Sequence, residues 1–265
     1  MQRRLLSVAA AALLAACAGA PPAPIAEVAP HGTLRVAVAV GPSPSAFWTV
    51  LEPATGRARG VSVTLGEAAA AKLGAPVEIV EYPNSGAITA AASKDAWDIS
   101  FMPQDAEREK YVDTGPAYVV YSTTYAVHSR SGIATLAALD REGVRVGAVE
   151  GTSTSRILAR TLKHAKLSLF AKAEDAQSQF GQDSLDALAM GREALDDYAA
   201  KHAGTTVLAE NIQTTGVIVV VPKQRPAAKA WAARFIEEAK ADGTVRRALD
   251  GAGFPKAELA PPAKP

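Results

Sequence analysis

Arg108 is the residue in this sequence best suited to holding an anion. It stands three positions after Asp105, inside Ala96–Tyr118, which reads AWDISFMPQDAEREKYVDTGPAY. The apolar run from Trp97 to Met102 predicts a strand, and Pro103 breaks it. A strand that stops abruptly before a capped turn exposes backbone N–H groups. An arginine at that turn adds a planar fork matched to two oxygens, which is the chemistry of a carboxylate site. The same residues also suit an ordinary strand–loop–helix joint, with Arg108 solvated or paired with Glu109 or Asp113.

Other chemistries find little support. Gly151-Thr152-Ser153-Thr154-Ser155 lacks the final glycine of a nucleophile elbow. His31, His128, His164 and His202 are scattered, with no H-E-x-x-H and no paired cysteines, so no metal site is expected. No cofactor motif and no phosphate-binding loop stand out. Lys and Arg number 28 against 27 Asp and Glu, with no basic cluster, which argues against a nucleic-acid surface.

The elements that must position Arg108 follow an alternating pattern. Thr33–Val40 (TLRVAVAV) suits a buried parallel strand and ends in the loop Gly41-Pro42-Ser43-Pro44-Ser45, after which comes the aromatic pair Phe47 and Trp48. A helix is predicted from Gly60 to Leu73, with Ser62 as a candidate N-cap and Gly74 as its stop. Val77–Glu81 is a second strand, Ala87–Ser93 a second helix, and Trp97–Met102 the third strand. This β-α-β-α-β order predicts a parallel, right-handed unit. A similar set follows: strands at Gly143–Val149, Leu167–Phe170 and Leu185–Met190, interleaved with helices after Glu150 and across Asp175–Phe180, then a helix over Glu193–His202 and a short strand at Thr206–Leu208. Two long extended runs, Tyr118–Val127 and Thr214–Val221, read as crossovers out of the first lobe and back into it. Pro226–Ala241 is an amphipathic helix with Trp231, Phe235 and Ile236 on one stripe. Thr244–Ala252 is the last helix, and the Pro/Ala/Lys-rich end, 255–265, is expected to be disordered. A cleft between two α/β lobes is a natural small-molecule site, because strand ends and helix N-termini face each other there.

The N-terminus reads as an export signal. Arg3 and Arg4 precede an apolar stretch, Leu5–Ala16, too short to span a bilayer. Leu14-Ala15-Ala16-Cys17 resembles the lipobox of bacterial lipoproteins, which implies cleavage after residue 16 and lipidation of Cys17, the only cysteine. A plain secretory peptide cut slightly later is the alternative. Without Arg3 and Arg4 the balance becomes 26 basic to 27 acidic residues, essentially neutral. Residues 17–32 read as a flexible tether, rich in Ala and Pro.

Four stretches taken together resemble the periplasmic solute-binding proteins of ABC uptake systems, specifically the polar amino acid-binding class, family 3. They are Gly32–Val38 with Phe47-Trp48 after it; Trp97–Tyr118, where D-A-E-R…VDTGPAY is similar to T-x-E-R…VDFSDPY; Val144–Ser155, where RVGAVEGTSTS is similar to RVGVQQGTT; and Ala241-Asp242-Gly243-Thr244. The resemblance implies an α/β, two-lobed periplasmic-binding-protein-like fold of type II. Each lobe would be a mostly parallel sheet flanked by helices, with two hinge crossovers: residues 33–121 plus 217–254 in lobe 1, and 122–216 in lobe 2.

It also implies a monomeric, lipid-anchored receptor in the periplasm or cell envelope. Such a receptor captures a small polar, carboxylate-bearing solute and delivers it to an ABC permease. By that resemblance Arg108 takes the ligand carboxylate, Gly151, Thr152 and Ser153 bind from the other lobe, and Phe47 or Trp48 stacks on the ligand. Thr152 and Ser153 would also serve as simple N-caps. Met102 and Asp105 stand where the family has hydroxyl residues, and Asp105 would repel a carboxylate, pair with Arg108, or bind an amine. Glu193 and Arg192 lie near the place of the family's acid for an α-amine. A cyclohexadienyl dehydratase-like enzyme is the alternative on the same fold, with Glu150, Asp105 or Glu193 as general acid. A ligand-binding lipoprotein without a transporter is a further one.

Overall fold

The computed structural model describes residues 23–41 and 45–263 of the chain. The expected signal peptide, Cys17, the first part of the tether and Pro42–Pro44 lie outside the described residues.

Part of the expected tether is built into the fold. Ala23–Val28 is a helix (α1), and Val28 and Ala29 are buried. Glu27 accepts a hydrogen bond from the Ala227 backbone N–H at 2.7 Å. It thereby caps a helix whose own N-cap residue, Arg225, supplies no side-chain cap.

The first lobe follows the alternation in the sequence. Leu34–Ala39 (β1) is buried on both faces, as a parallel strand between helices must be. A short hairpin, Val50–Leu51 (β2) with Ala58–Arg59 (β3), leads into helix α2, Val61–Leu73. Ser62 is not the cap of α2. Gly60 precedes the helix at φ +131°, and the first helical N–H groups of Val61 and Ser62 donate to the carbonyls of Ala46 and Trp48. With those donors satisfied by the loop backbone, the Ser62 side chain faces inward instead. Gly74 closes α2 in the left-handed conformation, as the sequence suggests. Strand β4 (Val77–Tyr82) follows, then α3 (Ser85–Ala91), capped by Asn84, whose side chain accepts from the Ala87 N–H. Strand β5 (Ile99–Pro103) ends at the proline.

The first crossover is longer than its apolar run. A single strand of 17 residues, β6 (Val112–His128), carries the chain into the second lobe. There follow α4 (Leu136–Leu139), β7 (Arg145–Val149), α5 (Ser153–Thr161), β8 (Lys166–Phe170), α6 (Ala173–Gly181), β9 (Ala187–Gly191), α7 (Arg192–Lys201) and β10 (Thr205–Val207). Strand β11 (Gln213–Pro222) returns, and α8 (Pro226–Ala241) and α9 (Thr244–Gly251) complete the first lobe.

All strands but the hairpin join one mixed sheet in the order β4-β1-β5-β11-β6-β9-β7-β8, with β10 also on β6. Within it β4-β1-β5 and β8-β7-β9 are two parallel sets with the same strand permutation. Strands β6 and β11 run antiparallel to each other between them. The chain therefore forms the two-lobed fold with two crossovers that the resemblance implies. Each lobe has its own pair of hydrophobic clusters, one on each sheet face.

The C-terminal segment is ordered through residue 263. Leu259 bridges Val119, the Val120 N–H donates to the Glu258 carbonyl at 2.8 Å, and Ala260 donates to Tyr118 at 3.1 Å. Arg246 holds the carbonyls of Phe254 and Ala257. The Pro- and Lys-rich composition of this end concealed its anchors: Phe254, Ala257 and Leu259 pack on the first lobe's core.

Candidate functional site

Strand ends and helix starts converge on one cavity with about 100 Å³ of solvent-accessible room, open at its mouth. From the first lobe come Ala39 at the end of β1, Ser45 and Trp48 from the loop after it, Ser62 at the start of α2, Ser85 at the start of α3, and Phe101, Met102 and Pro103 at the end of β5. Tyr121 of β6 forms part of the wall. From the second lobe come Val149 at the end of β7, Thr152, Ser153 and Thr154 at the start of α5, Ala189, Met190 and Gly191 at the end of β9, and Glu193 and Ala194 in the first turn of α7. The carboxyl ends of both parallel sets thus face one space, the location at which open α/β sheets bind ligands.

The wall is largely apolar. Trp48 stands edge-on to Tyr121, with ring centroids 5.0 Å apart and planes at 77°. Phe47, by contrast, is 1% exposed and packs against Trp48, Tyr121 and Phe254. Of the aromatic pair, Trp48 faces the cavity and Phe47 is core. Gly191 leaves room for Tyr121, since a Cβ there would collide with the phenol oxygen. Burial pushes the Tyr121 phenol up, so it stays protonated.

Thr152 lines the cavity and caps α5 at once. Its hydroxyl accepts from the Ser155 N–H at 3.1 Å and donates to the Val149 carbonyl at 2.8 Å. Ser153 is buried beside it. Gly151 lies outside the lining and makes the close approach between lobes. It sits at φ +70°, and a Cβ on Gly86 of α3 would come within 2.9 Å of the Gly151 carbonyl oxygen.

Met102 lines the cavity, whereas Arg108, Asp105 and Arg192 are positioned elsewhere. Arg108 is buried, but its guanidinium is turned onto its own lobe: Nη1 donates to the Pro103 carbonyl at 2.9 Å and Nη2 to the Ser85 hydroxyl at 2.6 Å. It lines a separate hollow with Glu107, Tyr111 and Arg156. Burial and then the neighbouring Arg156 charge push it down to about 10, which leaves it cationic at neutral pH. Asp105 caps its turn by accepting from the Glu107 N–H at 2.9 Å. Its charged partner is Arg156 of α5 in the other lobe rather than Arg108, with Nε at 3.1 Å and Nη2 at 2.9 Å. Burial raises the Asp105 carboxyl, but the Arg156 hydrogen bond and charge outweigh it and hold the group below its ordinary value. Arg192 points to the loop before β11, where Nη2 donates to the carbonyls of Leu208 and Ala209, each at 3.0 Å, and to Asn211 Oδ1 at 2.7 Å.

Glu193 does line the cavity. Burial pushes its carboxyl up to about 7, and Asp196 on the same helix adds to this while Arg192 opposes it. Its location at the first turn of α7 favours the anion. Tyr121, Ser62 and Ser85 are lining residues the sequence did not single out. Tyr121 is one apolar-looking residue in a long strand, and the two serines look like turn and cap residues.

The geometry agrees with sequence-family comparison. The family model of bacterial extracellular solute-binding proteins, family 3, matches residues 36–251. The chain belongs to that family. This solute-binding protein also matches many solved structures. One is an ancestral amino acid-binding protein described as a precursor of cyclohexadienyl dehydratase, with TM-score 0.75, 24% identity, and coverage of 87% of this chain and 98% of that one. A mutant of the T. maritima protein ArgBP aligns with TM-score 0.75 at 19% identity over 86% and 98%. The Streptococcus pneumoniae amino acid transporter substrate-binding protein AbpA, bound to L-arginine, aligns with TM-score 0.74 at 17% identity over 85% and 96%. No curated protein sequence matches the chain. Among the described residues no helix is long and apolar enough to cross a membrane, and no cluster of His, Cys, Asp and Glu is arranged for a metal ion.

Proposed function

We propose that this chain is an extracytoplasmic receptor that captures a small, amino-acid-like or amine solute between its lobes and passes it to an ABC permease. The cavity carries this reading. It draws its wall from the carboxyl-terminal ends of both parallel strand sets, so a solute there touches both lobes and favours their closed arrangement. The Asp105–Arg156 pair and the Gly86–Gly151 contact join the lobes beside it. We assign 33–121 with 217–254 to the first lobe and 122–216 to the second, with Trp48, Met102, Thr152, Ser153 and Glu193 as the ligand contacts. A thermal-shift screen of amino acids, amines and organic acids tests the receptor role; at least one is expected to raise Tm by several degrees. A blank screen across all three classes would sink it.

Anchoring through Cys17 and a monomeric state belong to the same reading. Labelled fatty acid is expected to incorporate into the wild type and not into Cys17→Ser. One observation favours a second reading, in which the protein is an enzyme: a carboxyl at about 7 in the wall of a cavity suits a general acid. Against it, the described lining offers Glu193 no His, Lys, Cys or second carboxylate as a partner. Incubation with prephenate or arogenate is expected to yield no aromatised product.

A further inference from the structure

We infer that the interlobe cavity selects a cationic solute, an amine on a compact apolar body, with Glu193 as its counter-charge, and that it does not clamp an α-carboxylate. This rests on the receptor reading above and specifies the solute of that same cavity.

The charge distribution carries the inference. Among the described lining residues Glu193 is the only one whose side chain can carry a formal charge near neutral pH. Arg108, Arg156 and Arg192 follow lining residues in the chain, yet none of them lines the cavity and each donates to other groups. Arg108 donates to the Pro103 carbonyl and the Ser85 hydroxyl, both on lining residues, and does not itself line the cavity. Arg156 is paired with Asp105 at 2.9 Å and donates to the Gly151 carbonyl at 3.2 Å. Arg192 is held by the 208–211 loop. At the end of β5, Pro103 has no backbone N–H to offer an anion. The helix starts at the wall, those of α2, α3, α5 and α7, contribute only partial positive charges of about half a unit each, whereas Glu193 is the one lining side chain able to carry a whole charge.

A cation gains twice in this space. A carboxylate removed from water without a partner is costly, and an ammonium on the solute relieves that cost. The rings of Trp48 and Tyr121 supply apolar surface for the body of the solute, and a ring face attracts a cation placed over it. Burial sets the ionisation of Glu193 first, with Asp196 and Arg192 of α7 acting on it in opposite senses, and Tyr121 of β6 is close enough to feel its charge.

Titration calorimetry on the purified protein with two matched trios tests the inference: phenethylamine, 3-phenylpropanoate and L-phenylalanine; pentylamine, hexanoate and L-norleucine. The amine of at least one trio is expected to bind at least tenfold more tightly than its carboxylate and its amino acid partner. Its affinity is expected to fall as pH drops from 8 to 5.5. Glu193→Gln is expected to weaken it at least tenfold while Tm holds or rises. The inference is overturned if a carboxylate or amino acid binds as tightly as the amine, if Glu193→Gln leaves the amine unaffected, or if neither amine binds. Binding by an anion alone leaves the receptor reading intact, and only the blank solute screen removes both.

Discussion

The two lobes carry the same ion pair at the same place and bury it differently. In the first, Arg35 of β1 grips Asp98, just before β5: its backbone N–H and Nε donate to Oδ2 at 2.9 and 3.0 Å, Nη2 donates to Oδ1 at 2.7 Å, and the Asp98 N–H returns to the Arg35 carbonyl at 2.9 Å. In the second, Arg145 of β7 grips Asp186, just before β9, at 2.8, 2.9 and 2.9 Å, with the same return bond at 2.8 Å. The Asp98 side chain is 0% exposed and Asp186 32%. Asp98 also takes a bond from Arg225 at 2.9 Å, because the segment returning through β11 packs beside the first lobe alone. An equal local motif therefore has an unequal energetic role, decided by what the chain folds back over it.

Removing one partner of a buried pair is costly because it leaves the other charge uncompensated. Asp98→Asn leaves Arg35 and Arg225 with only the half-exposed Asp95 as a charged partner, and is expected to cost about 3 kcal/mol in chemical denaturation, the low end for a broken buried pair. The matching change in the second lobe should be mild, so the pair of variants tests the contrast directly. Equal losses would show that burial is not what separates the lobes.

Gly86→Ala acts between the lobes rather than within one. Its Cβ would need the Gly151 carbonyl to give way, and overpacking of this kind costs about 1–3 kcal/mol. The strain falls on the closed arrangement, so ligand affinity should drop roughly tenfold or more while Tm without ligand changes little. A ligand-free Tm loss as large as that of Asp98→Asn would mean the contact belongs to folding, not closure.

Glu193 sets a pH-dependent asymmetry on the second-lobe side of the cavity. Its folded-state value of about 7 lies above its ordinary 4.5, so the folded protein keeps a proton that the unfolded chain would release. That contribution is complete below about pH 4.5 and is lost as pH rises through 7. Glu193→Gln is therefore expected to match wild type near pH 4.5 and to exceed it by about 1–2 kcal/mol at pH 8, allowing for partial solvation. Differential scanning fluorimetry across that range reads the crossover; a constant offset at all pH values would refute it.

The smallest effect belongs to Asp186→Asn, about 0–1 kcal/mol. Arg145 holds the Asp186 carboxyl below its usual range, so whatever this pair contributes is present above the ordinary aspartate value and fades as pH falls. Wild type and variant should therefore converge in acid, which equilibrium unfolding at pH 7 and pH 3 measures.

Helix and strand identities were mostly legible, because each lobe alternates apolar runs with Gly- and Pro-punctuated helices. Pro226–Ala241 matches its helix at both ends, and Gly74 stops α2 where a left-handed cap was expected. The reading failed where long-range partners replaced local ones. Ser62 lost its capping role to loop carbonyls, part of the tether became α1, and the Pro/Lys-rich end packed on β6. The site was legible in outline only. Trp48, Met102, Thr152, Ser153 and Glu193 meet at the cavity, while Phe47, Asp105, Arg108, Gly151 and Arg192 are spent on core, turn, backbone and ion-pair contacts.

By itself the sequence determined the twice-built α/β plan and the family, since periodicity, turn residues and ordered motifs are local properties of the chain. Only the tertiary structure decided which charges face the cavity. Where a long side chain points depends on the acceptors within its reach, and for Arg108 those are Pro103 and Ser85, brought to it by the fold and not by its neighbours in sequence.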